Sequence, residues 1–259
     1  MKPSMKSALF AVSLLLIFSS CNNEKVKITS LNQLSGKRIC VLTGSAGDMI
    51  ARKEFPDGIF LDFAGSADAA LAVKAGKADA FVYDESVLNK IVEKNSDLLI
   101  LPEVVTYQEV AIAIGKENIF LKSKLDSALS ILNNKGILTE LKTKWVETPY
   151  AMPPQLDKVE VSKYQTTLKM GTCAIYEPYT FISNGVHTGL DIDLRNHLSK
   201  ILNTNIETID MAFEGLIPAL QAGKIDFAIS NFTVTDERKN YISYSTPYLK
   251  NNISVLVRR

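Results

Sequence analysis

Ala72-Val73-Lys74-Ala75-Gly76-Lys77-Ala78-Asp79 and Ala219-Leu220-Gln221-Ala222-Gly223-Lys224-Ile225-Asp226 are two versions of one phrase, set far apart in the chain. In each, small and apolar residues at helical spacing stop at a glycine, the residue that most readily terminates a helix. A strand-like run starts after the aspartate: Ala80-Phe81-Val82-Tyr83 in the first copy, Phe227-Ala228-Ile229-Ser230 in the second. Helix, glycine stop and buried strand are the parts of a βα unit. Two similar α/β halves set face to face leave a cleft between them. Ligands of open α/β sheets bind at the carboxyl ends of strands, often against a helix N-terminus.

The same alternation extends outward from both copies. Before the first lie a strand over 38–42, a turn at Thr43-Gly44-Ser45-Ala46-Gly47 that enters a helix over 48–53, and a strand over 60–63. After it come a helix over 86–93, one strand over 109–114, and helices over 121–133 and 138–144 separated by Lys135-Gly136. Residues 147–166 carry Pro149, Pro153 and Pro154 without sustained periodicity and read as a linker. Alternation then resumes with strands over 167–171 and 206–211, helices over 193–202 and 214–222, and a last strand over 253–257. The expected architecture is α/β with mainly parallel sheets.

Composition excludes several classes of function. The 259 residues carry a formal net charge of +1, so no basic stripe points to nucleic acid and no acidic tail to a cationic partner. Three cysteines and two histidines, His187 and His197, form no Cys-x-x-Cys or Cys/His cluster, so no metal and no redox pair is expected. Cys40 and Cys173 lie in apolar runs and read as buried thiols. No nucleophile–base pair is visible, so no catalytic residues and no cofactor are expected. At the start, Lys2 and Lys6 precede an apolar run over 8–18 that is too short to span a bilayer and reads as an export signal. Ser19-Ser20-Cys21 resembles the processing site of bacterial lipoproteins, with Cys21 as the lipidated residue and residues 22–29 as a tether. The expectation is an exported monomer, anchored by lipid to a bacterial membrane and facing the periplasm or cell exterior.

The stretch richest in chemistry is Asn231-Phe232-Thr233-Val234-Thr235-Asp236-Glu237-Arg238-Lys239. A strand end bearing hydroxyls, followed by a helix start bearing Arg238, suits a carboxylate: hydroxyls and backbone N–H groups donate from one side, and the guanidinium donates two parallel bonds. Thr235 as a helix cap and Arg238 as a surface residue would be the plain alternative.

Together with Met170-Gly171-Thr172, Tyr176-Glu177-Pro178-Tyr179-Thr180-Phe181, Gly189-Leu190-Asp191-Ile192-Asp193-Leu194 and Phe213-Glu214-Gly215-Leu216-Ile217-Pro218, this stretch resembles the first lobe of the bacterial solute-binding proteins of family 3. These are the amino-acid receptors of ABC importers. Ser30-Leu31-Asn32-Gln33-Leu34-Ser35-Gly36-Lys37, Gly44-Ser45-Ala46, Lys77-Ala78-Asp79-Ala80 with Asp84, and the run from Lys135-Gly136 to Lys144-Trp145 resemble the family's other lobe and closing helices. The resemblance implies a two-lobed type 2 periplasmic-binding fold with a cleft between the lobes. The order of the lobes is reversed. Joining Arg259 back to Lys25 restores the family order, which implies a circular permutation; a remnant of a tandem array is the rival reading. On the permutation reading, residues 1–21 are signal and lipidation site, 22–29 tether, 30–116 lobe 2, 117–146 helices packing on lobe 1, 147–166 linker and 167–259 lobe 1. One covalent crossover, near residues 113–117, is expected, with the strand over 253–257 completing the hinge by pairing alone.

The resemblance also implies site roles. Arg238 and Thr233, with the backbone near Asn231, would hold a ligand α-carboxylate, and Ser45 and Ala46 would add donors. Asp84 would pair with the α-ammonium. Tyr176 and Phe213 would stack on the ligand side chain, with Tyr83 and Cys173 completing the pocket. Cys173 stands where some members have a carboxylate and Leu42 where some have lysine, which disfavours lysine or arginine as ligand. Asp191 and Asp193 are expected to be structural. The implied partners are an amino acid and an ABC permease; the alternatives are a ligand-sensing module or a dehydratase-like or cell-wall-associated enzyme of the same fold.

Overall fold

A computed structural model describes residues 27–156, 164 and 166–259, so the expected signal, lipidation site and most of the tether lie outside the described residues. The first part of the chain runs β1 (Arg38–Leu42), α1 (Ala46–Glu54), β2 (Ile59–Phe63), α2 (Ser66–Lys74), β3 (Ala80–Asp84), α3 (Glu85–Glu93), β4 (Leu98–Ile100), β5 (Thr106–Val110) and β6 (Ala113–Gly115). Helices α4 (Ile119–Asn134) and α5 (Ile137–Lys142) follow, then a π-helical turn over Thr143–Glu147. The second part runs β7 (Thr167–Thr172), β8 (Ile175–Tyr176), β9 (Thr180–Ser183), β10 (Val186–Thr188), α6 (Leu190–Leu202), β11 (Asn205–Asp210), α7 (Phe213–Gln221), β12 (Phe227–Ala228), α8 (Asp236–Lys239), β13 (Ile242–Tyr244) and β14 (Leu249–Arg258).

Two sheets organise the molecule, in the orders β2-β1-β3-β14-β4, with β5 also on β14, and β11-β7-β12-β6-β13. A small antiparallel sheet, β10-β9-β8, stands apart from them. The architecture is α/β with two mixed sheets, consistent with the type 2 periplasmic-binding fold. "Mainly parallel" needs correction. β1 pairs in parallel with β2 and β3, and β7 with β11 and β12, but every pairing made by β14 or β6 is antiparallel. The reason is exchange between the sheets: β14, from the end of the chain, enters the sheet of the first part, and β6 enters the sheet of the second.

That exchange also corrects the expected strand over 109–114 and the expected single crossover. The segment is two strands in two sheets, and the chain passes between them at Ala111-Ile112. A second covalent passage runs beside it in the opposite direction, from β13 to β14. Ile112 N–H donates to Ser245 Oγ, Ser245 N–H to Ile112 O and Tyr248 N–H to Val110 O, all at 2.9–3.0 Å. Two covalent connections therefore join the two sheets, and β14 is held by both chain and pairing.

Apolar side chains on both faces of the central strands explain why β1 and β3 are recognisable as short apolar runs: their residues are nearly all buried. Helix α6 begins at Leu190, three residues before its expected start, because Gly189 at φ +117° turns the chain into it. Asp191 and Asp193 thus stand in its first turn, where the helix N-terminus favours negative charge. Asp193 accepts from Lys144 Nζ at 2.5 Å and Trp145 Nε1 at 3.0 Å, so the end of the α4–α5 region is fastened to α6.

Candidate functional site

The carboxyl ends of β3 and β12 and the N-termini of α1 and α7 meet between the two large sheets. Ser45, Ala46, Tyr83, Asp84, Tyr176, Phe213, Asn231, Thr233 and Arg238 line one cleft there, joined by Ser230. Nine of the ten residues singled out from the sequence as ligand contacts are in this lining. Cys173 is not in the lining; it is buried nearby, its backbone N–H donating to Ser230 Oγ at 3.1 Å.

Arg238 reaches the cleft because Thr235 caps α8, accepting from Arg238 N–H at 3.3 Å. The cap and the cleft residue are therefore parts of one arrangement, and Arg238 is buried rather than on the surface. Its guanidinium donates to Thr233 O at 3.1 Å and, across the cleft, to Gly44 O at 2.9 Å. Phe213 and Phe232, stacked at 4.8 Å, flank it at 5.2 and 5.3 Å. Burial lowers the Arg238 pKa, and the Tyr244 hydroxyl opposes that shift.

On the opposite side, Ser45 caps α1 by accepting from Asp48 N–H at 3.1 Å. Asp84 ends β3 and accepts from Asn251 Nδ2 at 2.5 Å. Its carboxyl is pushed up to about 6, chiefly by burial, with hydrogen bonds from Asn231 and Asn251 and the charge of Arg238 pulling the other way. Asn231 does not offer its backbone N–H to the cleft; that group donates to Asp191 at 3.1 Å. Tyr83 and Tyr176 lie 6.2 Å apart, and Phe213 meets Tyr176 edge-on at 6.2 Å, giving an aromatic wall. The free volume of the cleft is about 10 Å³, room for about one water and too little for an amino acid.

Ser230, Phe232 and Asn251 were not anticipated. Ser230 and Phe232 adjoin residues that were, so the strand end itself carried the signal. Asn251 lies in the part of β14 that polar residues hide from a strand reading. Three larger hollows, about 420, 350 and 690 Å³, lie elsewhere. The lysines of the first are matched by carboxylates: Lys74 by Asp97, Lys90 by Glu93 and Lys94 by Glu177. Among the described residues no group of three metal-ligating side chains exists, and no helix is long and apolar enough to cross a membrane. Cys40 and Cys173 are free and buried, their thiols pushed up to about 12 and 11 by desolvation.

Asp84 and Asp191 both titrate near 6 in the folded chain, above the ordinary 3.8. Between those values the folded state holds protons that the unfolded state has released, so this contribution to stability falls as pH rises from about 4 to 6 and is then level. Asp84→Asn should therefore gain on the parent as pH rises, by about 1–3 kcal/mol above pH 6, with the difference shrinking towards pH 4. Thermal denaturation across pH 4–8 checks this; a difference independent of pH would contradict it.

Residues 168–259 match the family model of the bacterial extracellular solute-binding proteins, family 3. The chain has homologues among the amino-acid-binding proteins of ABC transporters. The "Probable histidine-binding protein" of Campylobacter jejuni is 39% identical over 98 residues, 34% of this chain and 38% of that one. The "ABC transporter arginine-binding protein 1" of Escherichia coli is 34% identical over 93 residues, 36% of this chain and 38% of that one. An ancestral arginine-binding protein solved with arginine is 44% identical over 33% of this chain and 38% of its own, with a TM-score of 0.32. In these alignments the chain spans about 38% of the length of the curated relatives.

Proposed function

We propose that this protein is an extracytoplasmic solute-binding lipoprotein that captures an amino acid by hinge closure and delivers it to an ABC importer. The observation that carries this reading is the pair of opposite charges in one cleft. Arg238 approaches from the sheet of the second part, and Asp84 stands at the end of β3 in the other sheet. A zwitterion can satisfy both only when the cleft is shut, which gives it a higher affinity for the closed state and so shifts the population. The two connections at 110–113 and 244–249 are the hinge about which the halves move. The names of these relatives support the ligand class, and two further homologues, from Bacillus subtilis and Escherichia coli, have "extracellular" and "periplasmic" in their names. Ser19-Ser20-Cys21 supports the lipid anchor.

Within that reading, Arg238 and Thr233 hold the carboxylate with help from Ser45 and Ala46, and Tyr176, Phe213 and Tyr83 wall the side chain. Apart from Arg238 and Asp84 the lining carries no charged side chain, which favours a ligand whose own side chain is uncharged. The lobes are then residues 30–110 completed by the terminal strand, and residues 167–248 with β6 and the helices of 117–146. We also read the chain as a circular permutation. Ile28 shares a core cluster with Val255 and Val257, so the two ends of the described chain pack into one region.

Calorimetric titration with L-histidine, L-glutamine and L-arginine tests the function: stoichiometric binding is expected, and release of a chemically altered product would overturn it. A rejoined variant tests the permutation. It begins at residue 164, links Arg259 to Lys25 through a short Gly/Ser bridge and ends at Glu147. It should bind the same amino acid within about threefold of the parent. A folded variant that had lost binding would count against the permutation.

A further inference from the structure

We propose that the Asn231 side chain is the second acceptor for the ligand's ammonium group, beside Asp84, and that Asp191 is the residue that positions it. This rests on the amino-acid-binding reading and sharpens it at one end of the site.

Asn231 lies in the cleft lining with only 8% of its surface exposed. Its Oδ1 is buried and has no hydrogen-bond partner among the described residues. A buried carbonyl oxygen without a donor costs free energy, and it persists where another molecule supplies the donor. The orientation of the amide follows from its neighbour. Asn231 and Asp84 line the same cleft, and a carboxylate can only accept, so Nδ2 is the amide atom suited to the Asp84 side and Oδ1 is left to the remaining space. Of the two ends of a zwitterion, only the ammonium brings donors. Asp84 and Oδ1 then divide its N–H groups between a charged and a neutral acceptor.

The placement depends on the backbone. Asn231 has φ +48°, the left-handed region that asparagine tolerates better than most residues. Its N–H is fixed on Asp191 Oδ2 at 3.1 Å. Asp191 is wholly buried and also accepts from Tyr248 O–H at 2.9 Å and Thr180 O–H at 3.2 Å. Tyr248 in turn lies on the passage into β14 and donates its N–H to Val110 O at the other passage. One carboxylate thus ties the ammonium-reading loop to both strands of the hinge. Asn in its place would turn an amide N–H₂ towards groups that themselves donate.

The test uses the tightest binder among L-histidine, L-glutamine and L-arginine together with its desamino analogue, in which hydrogen replaces the ammonium. Asn231→Gly keeps the backbone conformation accessible and removes the amide; Asp191→Asn removes the anchor and keeps the volume. Asn231→Gly should weaken the amino acid about tenfold or more while changing the desamino analogue less than about threefold. Asp191→Asn should show the same ligand-dependent pattern in smaller degree. Equal weakening of both ligands would reduce these residues to a structural role and overturn the inference, as would no weakening at all. If the parent protein bound none of the three amino acids, the underlying reading would fall at that first titration and this inference with it.

Discussion

Replacing Arg238 with alanine is expected to weaken amino-acid binding by roughly 10²–10³-fold, about 3–4 kcal/mol, in a calorimetric titration at neutral pH. The size follows from where the guanidinium lies. It is buried between two phenyl rings, where water screens little, and its planar fork already points two donors at oxygens, Thr233 O and Gly44 O. A ligand carboxylate entering between the halves exchanges a neutral carbonyl acceptor for a charged one, and charge-assisted bonds are about twice as strong as neutral ones. Arg238→Lys should lose part of this, about 10–10²-fold, because a point ammonium cannot donate two parallel bonds. The alanine variant should remain folded. Thr233 O keeps the Tyr244 hydroxyl at 3.1 Å, and the carbonyl of Gly44 belongs to a partly exposed turn that water can reach. Full affinity in folded Arg238→Ala would remove the carboxylate site from the cleft.

Elements whose side chains carry a pattern are readable from the sequence, and those held by pairing alone are not. β1 and β3 are short apolar runs because both faces are covered, and the helix ends at Gly76 and Gly223 follow from residue type. The hairpin β8–β9–β10 offers no such pattern: Ile175, Ile182 and Val186 are apolar yet exposed, and no strand there exceeds four residues. β14 extends four residues before its expected start because Lys250, Asn251 and Asn252 interrupt the apolar run, although Asn251 is buried against Asp84. The passages between sheets were misread for a related reason. Ala111 and Ile112 are as apolar as the strands around them, so nothing in their chemistry marks the change of partner. The cleft was easier to find: Thr233 and Arg238 lie within one short stretch whose chemistry suits a carboxylate, and the resemblance to the family pointed to the rest of the lining.

Gly189→Ala should be strongly damaging for so small a substitution, costing about 3 kcal/mol or more and lowering the melting temperature by roughly 6–12 °C. Gly189 has φ +117°, outside the range in which an L side chain is comfortable. A β-carbon there would run into the Tyr179 carbonyl and come within 2.9 Å of Pro178 O, both backbone atoms that cannot swing aside. Those two carbonyls accept the N–H groups of Leu190 and Asp191 at 3.0 Å, the bonds that set the start of α6. Gly185→Ala separates the two costs: φ there is +75°, but nothing lies within 4 Å of an added β-carbon, so only the conformational part, about 1 kcal/mol, should appear. Calorimetric unfolding of the pair checks this, and equal losses would show that crowding at Gly189 is relieved cheaply. The consequence reaches the site. Displacing the first turn of α6 moves Asp191, and with it the bond that holds Asn231, so a folded Gly189→Ala protein should also bind its amino acid more weakly, whereas Gly185→Ala should not.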